Sequence, residues 1–223
     1  MSDVATGTDR SVATARAQVY LLLAAAFDGD TDRFAAAVEA GVFDRLADTV
    51  PGAPPTSALS GASPDSETLR VGYDNLFVVP GPHYVAPVAS GYVESGEPVT
   101  SDSIYRDDQL GELLGHPAAV AANTYERFGF VPTRGTDFPD SLPALLEFAA
   151  ALAAAEADVV DDRTDAELRQ VQATFLAQQL GWVDAFADAV ADADAVEGVY
   201  AALAAFTRAF VAFDREHLAT PVE

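Results

Sequence analysis

The chain has 223 residues, half of them hydrophobic, with 35 acidic side chains against 12 basic ones and a formal net charge of −23. That length can bury a substantial core in one domain, and the hydrophobic content excludes an acidic disordered protein. No basic stripe exists to neutralise phosphates, which excludes a nucleic-acid partner, and the lack of cysteine excludes disulfides, thiolate metal sites and a cysteine nucleophile.

Apolar residues recur at three- and four-residue spacing almost throughout, which predicts helices. The first runs from about Asp9 to Ala26, with Val12, Arg16, Val19, Leu23 and Ala26 at helical spacing. Residues 19–27 imitate the core of a secretory signal. However, Asp3 and Asp9 occupy its supposed positive flank, and the run is too short to span a membrane. No Arg-Arg pair occurs, so no twin-arginine signal is expected in the chain itself. A second helix begins after Asp32 and carries Phe34, Val38 and Phe43 on one face. Residues 51–64 hold Pro51, Pro54, Pro55 and Pro64 and predict a flexible loop. A helix from about Ser66 leads into Leu76 and Phe77.

Residues 78–101 contain Pro80, Gly81, Pro82, Pro87, Gly91, Gly96 and Pro98, too many breakers for a helix. They predict an ordered loop with a short extended piece at 85–93. Helices resume at 103–114 and 118–128. Asp140 or Ser141 is expected to cap the next helix, with Pro143 in its first turn and Leu142, Leu145, Leu146, Ala149 and Leu152 as its buried stripe. Beyond Asp161, Asp162 and Arg163, the spacing of Leu168, Val171, Phe175, Trp182, Phe186 and Val190 predicts one long helix bent at Gly181. A last helix repeats Val199, Leu203, Phe206, Phe210 and Phe213 as a packed seam. No segment has the strand period. The fold class is therefore all-α, a single helical domain over 1–223 with about eight to nine helices.

Catalytic motifs are missing. His83, His116 and His217 lie far apart without metal-ligand spacing, and the acids at Asp188, Asp192 and Asp194 lack the glycine and glutamate of a calcium loop. They read as a solvated acidic edge. No phosphate loop can form without lysine, and all 12 basic residues are arginine. No serine sits in a nucleophile elbow. No enzyme activity, resident cofactor or metal is expected. The acidic excess repels itself in dilute buffer, but at molar salt the Debye length falls to about 3 Å and screens it. This composition points to a salty cytoplasm, as in a haloarchaeon.

Three stretches carry a resemblance. Residues 73–92 read Tyr73, Leu76 and Phe77 at Y-x-x-L-F spacing, then a Pro/Gly loop, then Pro87, Ser90 and Tyr92 at P-x-x-S-x-Y spacing. Residues 139–148 run Pro-Asp-Ser-Leu-Pro-Ala-Leu-Leu-Glu-Phe, and residues 175–182 run Phe-Leu-Ala-Gln-Gln-Leu-Gly-Trp. In that order they resemble the TorD/DmsD/NarJ family of molybdoenzyme-maturation chaperones, over roughly residues 10–215. Ser141 and Gln179 stand where that family's patterns have histidine, which puts any pH-switched contact there in doubt. The 142–148 wording leans toward the nitrate-reductase delta-subunit branch, and the P-x-x-S-x-Y loop toward TorD/DmsD.

The resemblance implies a cytoplasmic all-helical chaperone, monomeric or a homodimer by domain swapping. It would bind the apo catalytic subunit of a molybdopterin oxidoreductase and its twin-arginine leader peptide until the cofactor is inserted. The binding residues it implies are Tyr73, Leu76, Phe77, Pro87, Ser90, Tyr92, Asp140, Ser141, Leu142, Glu147, Gln179 and Trp182. By spacing alone Leu76 and Phe77 are core, Trp182 packs at a helix crossing, and Glu147 faces solvent or an ion pair. Two alternatives stay open: a permanent assembly subunit of a membrane reductase, and a small helical nucleotide-binding protein.

Overall fold

The computed structural model describes residues 2–50, 56–60, 65–92, 115–159, 162–194 and 198–220, with backbone alone at 2–9 and 162. Nine α-helices occur among them: α1 (Ser2–Phe27), α2 (Thr31–Glu39), α3 (Val42–Ala47), α4 (Ser66–Tyr73), α5 (His116–Phe128), α6 (Leu142–Asp158), α7 (Asp162–Gln179), α8 (Val183–Ala193) and α9 (Val199–Ala219). A π-helical turn at Asp74–Val78 and 3-10 turns at Ser57–Leu59 and Ala89–Gly91 complete the order. No strand occurs among the described residues; a lone antiparallel bridge pairs Val88 with Ser141. The class is all-α.

The centre is α6. Leu142, Ala144, Leu145, Leu146, Phe148, Ala149, Ala150, Leu152 and Ala153 are buried on every side of it, the pattern of a helix enclosed by others. Among the described elements its most extensive neighbour is α1. Alanines at 13, 17 and 24 on α1, and at 149, 150 and 153 on α6, are all buried and keep the two axes close. α9 packs against α8 and α7, and α2 against α1 and α4. Between these helices lies a chain of edge-to-face aromatic contacts. Phe27 meets Phe77 and Phe186 at 5.9 and 5.6 Å, and Phe43 meets Phe34 and Phe206 at 5.8 and 5.4 Å.

Aspartates set several helix starts. Asp30 accepts from Arg33 N at 3.2 Å and Asp65 from Thr68 N at 2.8 Å. Asp194 accepts from Tyr200 N and Ala201 N at 2.9 and 3.0 Å, so this member of the expected acidic edge caps α9. Asp188 pairs with Arg208 at 2.8 Å.

The structure differs from the expectations at several points. Phe43 belongs to a separate helix, because Gly41 at φ +63° breaks the chain after α2. The predicted long helix carrying Leu168 through Val190 is two helices, parted at 180–182, where a bend was expected. At Gly181 a Cβ would lie 3.0 Å from Ala177 O. Within the predicted 51–64 loop, residues 57–59 form a turn that buries Leu59. The extended piece at 85–93 is one bridge and a 3-10 turn as far as residue 92. The predicted helix at 103–114, like residues 93–101, lies outside the described residues. No described helix is long and apolar enough to cross a membrane.

Candidate functional site

Segment 85–92 is docked on the head of α6 by backbone hydrogen bonds. Leu142 N donates to Pro87 O at 2.8 Å and Ala89 N to Asp140 O at 3.0 Å, on either side of the Val88–Ser141 bridge. Val85 N donates to Leu76 O at 2.7 Å, which ties the start of the segment to the π-helical turn.

Asp140 closes this junction. Its Oδ2 accepts from Ser90 N at 2.7 Å, inside the 89–91 turn. Its Oδ1 has no hydrogen-bond partner among the described residues, and the whole side chain is 0% exposed. Burial raises its pKa above the usual carboxylate range, an effect the Ser90 N–H partly offsets. Of the two residues expected to cap α6, Asp140 does not. Ser141 holds the N-cap position of α6 without a side-chain cap, its Oγ donating to Gly135 O at 3.0 Å instead. The Asp140 carboxylate caps a different element.

Trp182, at the α7–α8 break, stacks on Tyr92 with ring centroids 5.0 Å apart. Tyr92 Oη donates to Ala86 O at 3.1 Å, and Trp182 Nε1 donates to Gln179 O at 2.8 Å, so both polar tips are satisfied. The π-helical turn places Leu76 and Phe77 inside and leaves Val78 and Val79 each 53% exposed. Tyr73 donates to Phe27 O at 3.1 Å, and burial, with Asp28 and Asp74 nearby, pushes its phenol up to about 12.

Glu147 faces neither solvent alone nor an arginine. It accepts from Thr133 N at 2.7 Å, Arg134 N at 3.1 Å and the Thr133 hydroxyl. Asp28, just past α1, accepts from Gly135 N at 2.8 Å and Arg134 Nη1 at 3.3 Å. Two carboxylates thus hold the 133–135 loop against Ser141.

Pro87, Ser90, Tyr92, Asp140, Ser141, Leu142 and Trp182 therefore meet at one junction, and Gln179 braces it from α7. Tyr73, Leu76 and Phe77 lie beside it through Phe186, which Phe77 approaches at 6.0 Å and Trp182 at 5.6 Å. Glu147 sits further along α6. Only Tyr73, Pro87 and Glu147 of the twelve are partly exposed; the others are buried. In the chain between the π-helical turn and the docked segment, Val78, Val79, Pro80 and His83 are exposed, and Pro87 is partly so. Among the described residues no three His, Asp or Glu side chains converge as metal ligands.

The sequence reading missed a buried ionic cluster. Arg16, 3% exposed, donates through Nη1 to Glu156 Oε2 at 2.5 Å, through Nη2 to Gln172 Oε1 at 2.7 Å, and through Nε to Asp214. Tyr20 Oη donates to Asp214 Oδ2 at 2.7 Å, and Arg169 reaches Glu156 Oε1 and His217 O, each at 2.8 Å. Burial opposes the charge on Arg16, yet Asp214 and Glu156 hold its pKa above the ordinary value. Glu156 is likewise held below its usual range against burial, chiefly by Arg16. Two arginines and two carboxylates thus neutralise one another where α1, α6, α7 and α9 meet. The signal was visible: an arginine on the apolar stripe of the first helix.

The chain matches the family described as nitrate reductase delta subunit over residues 31–188, a span that includes all twelve residues of the candidate site. No curated protein and no solved structure matches it. Because the match covers more than half of the chain, with an all-α fold and the docked junction inside it, the protein belongs to the nitrate reductase delta subunit family, whose role is molybdoenzyme maturation.

Proposed function

We propose that this chain is a cytoplasmic chaperone. It would hold the apo catalytic subunit of a molybdopterin oxidoreductase, of the DMSO, TMAO or nitrate reductase type, until the cofactor is inserted. The client's twin-arginine leader is part of the ligand. The docking surface is segment 85–92 with the head of α6 and the α7–α8 break, including Pro87, Ser90, Tyr92, Asp140, Ser141, Leu142, Gln179 and Trp182, flanked by Tyr73, Leu76, Phe77 and Glu147. The observation that carries the reading is the meeting of three sequence-distant motifs at one junction inside the family match. Exposed Val78 and Val79, which follow buried Leu76 and Phe77 in the chain, offer apolar surface to a peptide.

The mechanism is differential affinity, tight for the open apo-client and weaker once the cofactor closes it. No bond is made or broken by the chaperone. Pull-down from native cytoplasm in molar KCl, with mass spectrometry of the co-eluting chains, tests this. A cofactor-free molybdoenzyme subunit is expected. Mature holoenzyme at fixed stoichiometry would make the chain a permanent subunit, and no molybdoenzyme at all would defeat the reading.

A further inference from the structure

The junction between segment 85–92 and α6 carries an unusual feature: a fully buried carboxylate that uses one oxygen and leaves the other without a partner among the described residues. Such an oxygen loses its hydration without compensation, and the loss is far larger for the charged form than for the neutral acid. No described arginine pairs with it. Arg134 is turned to Asp28, Glu147 is turned to the Thr133 and Arg134 backbone, and Tyr92 to Ala86 O. Tyr125 of α5 is the ionisable group whose charge would act on it, and that phenol donates to Pro139 O at 2.7 Å and is un-ionised at neutral pH. Among the described residues only the Ser90 N–H and, to a smaller extent, Asp140's own backbone N–H offset the carboxylate charge.

We propose that Asp140 is a latch whose ionisation loosens segment 85–92 from the head of α6. This rests on the chaperone reading only for what the open segment would present, namely Ser90, Tyr92 and Trp182, which are buried when it is closed. The closed junction favours the protonated acid; the open one exposes the carboxylate to water. Closure is therefore complete at acid pH. It weakens as pH rises from the solvated aspartate value of about 3.9 through the higher value of the closed state, and stays weak above it.

Amide hydrogen exchange on the full chain in molar KCl, without client, reads the latch directly. Protection of the Ala89, Ser90 and Leu142 amides is compared with that of Ala149 and Ala150 inside α6, from about pH 3 to about pH 8, after correction for intrinsic exchange. In the wild type, protection at the junction is expected to fall by more than about threefold relative to α6. Asp140→Asn keeps an acceptor for Ser90 N and cannot ionise, so its protection is expected to stay flat and high. A flat wild-type profile, or the same slope in the variant, would overturn the latch. Because no client is present, that failure leaves the chaperone reading untouched. Conversely, a pH-sensitive junction in a chain that captures no molybdoenzyme defeats that reading and spares the latch.

Discussion

Arg16 shows how much one side chain can hold. It bonds three residues on three other helices, and removing it leaves Glu156 and Asp214 as buried acids with reduced compensation. Arg16→Met is expected to cost about 3–5 kcal/mol in denaturant unfolding at molar KCl, far more than loss of an exposed pair. Gly135 is constrained in another way: its φ is +56°, and a Cβ there would lie 2.1 Å from Ser141 Oγ. Gly135→Ala is expected to destabilise the protein by at least about 1 kcal/mol and to disturb the Ser141 side chain. His217 links the cluster to pH. Burial, and then Arg16 and Arg169, lower its pKa, so the folded state favours the neutral ring. Its contribution to stability is full above the unfolded value of about 6.5 and is lost as pH falls from there through the lower folded value. His217→Gln should flatten that part of a stability–pH curve between about pH 7 and about pH 5; an unchanged curve would mean the charge is carried elsewhere.

At the level of elements, periodicity made the helices legible, while their breaks depended on packing. Leu168 through Val190 keep helical spacing across the gap, so nothing in the pattern marks the separation of α7 from α8. The break follows from tertiary need: it lets Trp182 turn onto Tyr92 and return its indole N–H to Gln179 O. The π-helical turn has a similar cause, since it puts both Leu76 and Phe77 inside directly after α4. Phe77 touches the rings of Phe27, Tyr73, Phe186 and Tyr200, and Phe77→Ala is expected to cost about 3–5 kcal/mol by thermal or denaturant unfolding. Asp140 was legible as a special residue but not in its role. The residues that follow it suit a helix start, and only the fold brings Ser90 N within its reach. Arg16 was placed on the correct stripe of α1, but its partners lie about 140 to 200 residues away, beyond any local pattern.

For the whole molecule, a net charge of −23 has to be reconciled with a dense core. Acidic side chains outnumber arginines 35 to 12, which leaves a large excess of negative charge. Raising KCl from about 0.1 M to about 1 M shortens the Debye length from about 10 Å to about 3 Å and should raise Tm, whereas a Tm indifferent to salt would count against the salty-cytoplasm reading. The buried cluster should be indifferent to the same change, since ions do not enter it. That cluster also bears on where this protein can be cut. The family match ends at residue 188, and neither α1 nor α9 falls within it. A chain trimmed to 31–188 would keep Glu156, Arg169 and Gln172 but lose Arg16, Tyr20 and Asp214, and α6 would lose its most extensive neighbour among the described elements. The segment by which relatives are recognised thus leaves out part of this cluster, and a 31–188 copy is expected to lose the cooperative unfolding transition of the full chain in circular dichroism.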